Sequence, residues 1–116
     1  MTQNNYDLEE RTAKFGEDII GFCRSINRNS ITNPLISQLL RAGTSVGANY
    51  CEANNASSKK DFKNKINICK KECQETKHWI RMFAQCEPGR KEELKVLWKE
   101  CHELTMIFQK INSSLK

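Results

Sequence analysis

No stretch of this 116-residue chain approaches the roughly 18 consecutive apolar residues that a membrane-spanning helix needs. The opening run "MTQNNYDLEE" lacks the basic and apolar regions of a signal peptide, so a cytoplasmic protein with no membrane partner is expected. Prolines number only two, and nowhere does the strict apolar–polar alternation of a half-buried strand appear. A phosphate-binding glycine loop is missing, as is any nucleophile and base at readable spacing, so no catalytic residue and no cofactor is expected. What is present is ordinary for one soluble domain: 38 % apolar and 28 % charged residues.

The six cysteines do not form a disulfide framework, because thiols of a cytosolic protein stay reduced. Cys69 and Cys73 lie four apart and could share a metal on one helix face. Without a Cys-x-x-Cys pair or a histidine couple to complete a site, they read as small buried apolar residues. Glu52, Glu72 and Glu75 suggest a carboxylate di-metal bundle. Such sites use two Glu-x-x-His pairs, and only Glu75–His78 is found, so no metal is expected.

Apolar positions recur at helical spacing in four segments, about 7–27, 34–55, 59–86 and 90–112. The first opens at Asp7, with Glu10 as capping-box partner, and carries Leu8, Phe15, Ile19, Phe22 and Ile26. Asn33–Pro34 supplies an N-cap and a first-turn proline for the second. The third, starting near Ser58, alternates steps of four and three through Phe62, Ile66, Cys69, Cys73, Thr76, Ile80 and Phe83. The fourth follows Pro88–Gly89 and repeats the rhythm at Leu94, Leu97, Cys101, Leu104, Phe108 and Ile111. Seams of this period and short connections predict an all-α, antiparallel up-down-up-down four-helix bundle. Trp79 and Trp98 flank the seams and are candidates for a subunit interface.

The second segment contains "RAGTSVGANYCEA". Gly43 and Gly47 share a face, and each costs roughly 1 kcal/mol against alanine within a helix, which calls for close approach by another helix. Arg41, Ser45, Asn49 and Glu52 make a polar stripe. It faces either solvent or a register-fixing ladder with Glu72, Glu75 or Thr76 on the third helix.

"LLRAGTSVGANYCEA" followed by "SKKDFKNKINICKKECQETKHWIRM" resembles the bacterial four-helix-bundle family of 23S rRNA intervening-sequence proteins, often encoded within insertions in large-subunit ribosomal RNA genes. The likeness extends from "DLEERTAKF" to "ELTMIF". More distantly, the chain is similar to the accessory protein of diversity-generating retroelements, which works with a reverse transcriptase. The resemblance implies a homopentameric ring with a basic surface suited to nucleic acid and no established enzymatic activity.

The formal charge is +5. Lys59, Lys60, Lys63, Lys65, Lys70, Lys71, Lys77 and Arg81 on the third helix face only Asp61, Glu72 and Glu75, a surplus equal to that of the whole chain. Such a helix either neutralises phosphates or is a solvated face. No RNP motif, Cys/His finger or aromatic-interleaved stacking platform is legible, so phosphate contacts are expected to dominate. The expected function is a non-enzymatic oligomer binding RNA or DNA through its third helix. The alternative is an adaptor for a partner protein such as a polymerase.

Overall fold

A computed structural model describes residues 2–115, with side chains from Leu8 onward. It has four helices: α1 (Thr2–Arg24), α2 (Thr32–Asn54), α3 (Lys59–Cys86) and α4 (Lys91–Ser113). No strand occurs among the described residues. The body measures 44 × 22 × 19 Å, about one helix long and two helices wide.

Each helix packs antiparallel to the one before it. Thr12 of α1 lies beside Gly47 and Ile19 beside Gly43. Between α2 and α3, Arg41 meets Glu72 while Glu52 meets Lys65. Between α3 and α4, Asn67 bonds to Asn112 and Lys77 to His102. Arg11 closes the bundle by joining α1 to Glu100 and Glu103 of α4.

The core is the four seams turned inward. Leu8, Phe15, Ile19, Phe22 and Ile26 are buried with Leu39, Val46 and Tyr50, against Ile66, Cys69, Cys73, Ile80 and Phe83 and against Leu94, Cys101, Leu104 and Phe108. Phe22 and Phe83 meet edge to face at 5.3 Å. Phe62 and Ile111, expected in the seams, are half-buried at the end of the bundle. Thr76 is enclosed as its place in the third seam predicts, whereas periodicity did not reveal Thr12 and Thr105 as enclosed. Each satisfies its hydroxyl by donating to a carbonyl of its own helix, Thr12 to Glu9, Thr76 to Glu72 and Thr105 to Cys101.

Two expected helix starts need correction. The backbone of α1 is helical from Thr2, so Asp7 lies within the helix and does not cap it, and its side chain lies outside the described residues. The first helix also stops at Arg24 rather than 27. Asn33 does not cap α2: Ile31 stands at the N-cap without a side-chain bond, and Asn29 before it serves the first amides instead. The Asn29 side-chain oxygen accepts from the amides of Ile31 (2.9 Å) and Thr32 (2.8 Å), while the Thr32 hydroxyl accepts from Asn29 N–H and donates to Asn27. This reciprocal arrangement starts the helix at Thr32, where Pro34 sits within the first turn and its missing N–H has no helical partner to lose. Ser58 caps α3, its hydroxyl accepting from Asp61 N–H at 3.0 Å. Pro88–Arg90 forms a single 3-10 turn before α4 begins at Lys91.

Candidate nucleic-acid interface

The charges of α3 are sorted by shoulder. Its carboxylates face α2: Glu72 and Glu75 both accept from Arg41, the Arg41–Glu72 contact being 3.2 Å. Lys65, on the same side, is held by Glu52 at 2.7 Å, and that hydrogen bond raises the lysine's pKa above its ordinary value. The opposite shoulder faces α4 and carries Lys63, Lys70, Lys77 and Arg81 at steps of seven, seven and four, one stripe of a helix. Lys70 donates to Gln109 and Lys77 to the Nδ1 of His102 at 3.1 Å. A lysine ammonium can only donate, so in this contact His102 Nδ1 is the acceptor.

The facing shoulder of α4 carries Lys91, Lys95, Trp98, His102 and Gln109 by the same helical geometry. The acids Glu93, Glu100 and Glu103 are turned away from it. Arg90 holds Glu93 at 2.7 Å, and Arg11 holds the other two. The α3–α4 face thus carries mainly cations, with Gln109, Trp98 and His102, and Glu92 lies 3.8 Å from Lys95 at its edge. Of the eight basic residues expected to act together, Lys63, Lys70, Lys77 and Arg81 share this face. Lys60 and Lys71 lie exposed on the outer side of α3, Lys59 is exposed at its first residue, and Lys65 belongs to the α2 contact.

Sequence reasoning missed an aromatic pair here. Trp98 stacks on His102 with ring centres 5.0 Å apart and planes 9° from parallel, and Lys77 Nζ lies 5.2 Å from the Trp98 ring centre. The readable signal is the spacing of four between Trp98 and His102, but only the α3–α4 contact brings Lys77 to them. Trp79 lies on the other shoulder, half-buried against the core, beside His78. Its indole N–H has no acceptor among the described residues.

The polar stripe of α2 is divided between the two arrangements it allows. Arg41 and Glu52 reach α3, whereas Ser45 bonds back to the Arg41 carbonyl and Asn49 to that of Ser45. Gly43 and Gly47 face α1. A Cβ on Gly43 would sit 2.9 Å from Ile19 Cγ1, and one on Gly47 would sit 3.3 Å from the Thr12 carbonyl oxygen. The close approach is therefore α1 against α2 within the subunit.

Burial separates the cysteines. Cys69 donates toward the Val46 carbonyl, and Cys101 to that of Cys73. Burial pushes the Cys69 thiol up to about 12 and the Cys23 thiol up to about 11, from an ordinary 9.0. A hydrogen bond with Cys73, together with burial, raises Cys101 further. The folded state resists ionisation, so its stability should be complete below pH 9 and fall as the pH rises toward these values. Urea titrations from pH 8 to 11 should show this loss, smaller in Cys69→Ala measured against its own pH 8 value. Cys51, exposed on α2, should be the first thiol to react with Ellman's reagent in the folded protein.

Among the described residues no three metal-ligating side chains converge. Glu52, Glu72 and Glu75 are each engaged by a cation instead. A groove of about 350 Å³ between α1 and α2 is lined by Glu9, Glu10, Glu17 and Ile20 with smaller side chains, and no basic residue or histidine lines it. None of the described helices is long and apolar enough to cross a membrane.

Residues 4–110 match the sequence model of a family described as 23S rRNA-intervening sequence protein. The fold also matches the crystal structure of a protein of unknown function from the S23 ribosomal protein family of Bacteroides thetaiotaomicron VPI-5482. The TM-score is 0.85 at 28 % identity, covering 92 % of this chain and 99 % of that one. No curated protein matches the chain.

Proposed function

Since the chain belongs to the 23S rRNA-intervening sequence protein family, we propose that it is a non-enzymatic, oligomeric bundle protein that binds RNA or DNA through the α3–α4 face. The observation that carries this reading is the sorting of charge. Glu72 and Glu75 of α3 are turned toward α2 and held by Arg41, and Glu100 and Glu103 of α4 are turned toward α1 and held by Arg11, which keeps these four acids off the stripe of Lys63, Lys70, Lys77 and Arg81. A solvated surface helix more often mixes its signs. Here a phosphate would find several cations along one line, roughly 27 Å from Lys63 to Arg81 at 1.5 Å per residue.

Self-association would multiply that line. The exposed apolar side chains Val96 and Met106, 69 % and 56 % accessible, supply surface for it. In the ring of five that the family resemblance implies, modest affinities at each face would add through multivalency. The same apolar residues favour the second reading, an adaptor docking a partner protein. That contact would persist at high salt and after nuclease treatment.

The deciding experiment is fluorescence anisotropy with labelled single-stranded RNA, a hairpin and duplex DNA across a salt titration. Affinity should fall linearly in log salt with a slope of about −3, as expected if about four phosphates of a single strand are neutralised. Absence of binding at low salt would leave the face merely solvated and favour the adaptor.

A further inference from the structure

The nucleic-acid reading expects phosphate contacts alone, yet the middle of the cationic face is aromatic. Trp98 is 41 % exposed, although it is the largest side chain on its shoulder of α4. Its ring is contacted by the parallel stack on His102 and by Lys77, whose ammonium approaches the ring and bonds the same histidine. The exposed indole is thus held in one orientation by these two contacts. Lys70 lies two turns along α3 from Lys77, and Arg81 one turn beyond it on the other side, so cations bracket the indole along the helix axis. A flat π-surface with cations before and after it along the helix axis fits an unpaired base whose flanking phosphates need neutralising.

Resting on the nucleic-acid reading above, we infer that the Trp98–His102 pair is a base-stacking platform. It selects single-stranded nucleic acid by taking one unpaired base onto the exposed indole, while Lys70, Lys77 and Arg81 hold the phosphates around it. A paired helix keeps its bases stacked on one another and offers no free face, so duplex should bind through charge alone. Stacking is tolerant of base identity, because every base has a π-face, and little sequence preference follows. The Lys77–His102 bond has a positioning role, since it sets the plane of the ring beneath Trp98.

The test compares a uridine 12-mer with an abasic 12-mer of equal charge, in anisotropy titrations on the folded protein. The wild type should bind the uridine oligomer about tenfold more tightly, a ratio typical of one stacked base. Trp98→Ala should erase that ratio while leaving affinity for the abasic oligomer unchanged, and Trp98→Phe should retain most of it. In a Trp79→Phe background, where Trp98 is the sole tryptophan, the uridine oligomer should quench emission and the abasic one should not. That readout stands even if Trp98→Ala fails to fold. Equal affinities for both oligomers in the wild type would overturn the platform while leaving the nucleic-acid reading intact. So would unquenched Trp98 emission on a bound uridine oligomer. Failure of either oligomer to bind at low salt would overturn both.

Discussion

Gly43→Val should lower the stability of the bundle by about 3 kcal/mol, the upper end of the cost of overpacking a filled core. Melting should fall by about 10 °C for a domain of this size. The added Cβ would lie 2.9 Å and 3.0 Å from the two γ-carbons of Ile19 and 3.2 Å from its Cβ. Ile19 is wholly enclosed and β-branched, so it has no free rotamer by which to withdraw. Relief requires α1 to move off α2, which also opens the contact of Gly47 with the Thr12 backbone. Valine is the better helix former of the two, so a loss cannot come from propensity. Gly21→Ala is the matched control. Nothing lies within 4 Å of its added Cβ, and the helix should gain about 1 kcal/mol. Thermal and urea melts followed by circular dichroism decide both. If the two variants melt alike, α1 and α2 are not in the contact described.

Binding of single-stranded RNA should fall about a hundredfold or more at low salt when Lys63, Lys70 and Arg81 are together changed to glutamate, as three neutralised phosphates are lost and three repulsions are added. The slope of log affinity against log salt should shrink by about 2 at the same time, since each single-strand phosphate contributes about 0.7. Helical content and melting should barely change, because Lys63 and Arg81 are exposed and the half-buried Lys70 meets α4 through a surface hydrogen bond to Gln109. The control is the same change in net charge placed elsewhere, at Lys14, Arg24 and Arg28 on or after α1. A diffuse electrostatic attraction would weaken equally in both triple variants. The localised face requires the control to retain nearly all of its affinity.

Much of the architecture was legible because bundle packing is written in period. Ile66, Cys69, Cys73, Thr76, Ile80 and Phe83 could be placed in a core from their spacing alone, and they are buried. The same holds for the capping serine of α3, whose hydroxyl bonds a local amide. The start of α2 was misread since Asn29 and Asn33 are equally suitable residue types. Only the reciprocal bonds between Asn29 and Thr32 distinguish them. Two glycines in one turn of α2 demanded a close neighbour, but spacing cannot say which helix that is.

By itself, then, the sequence determined that the chain is helical, that it has four segments with one apolar face each, and that its surplus charge belongs to the third. These are properties of period and composition along one helix at a time. Tertiary structure decided everything that depends on two helices meeting. It set α1 against the glycines of α2, turned Glu72 and Glu75 toward Arg41, and brought Lys77 over Trp98 and His102, 21 and 25 positions distant along the chain. Helical geometry fixes the angle of a side chain about its own axis. Which neighbour occupies that angle follows only from how the seams pack.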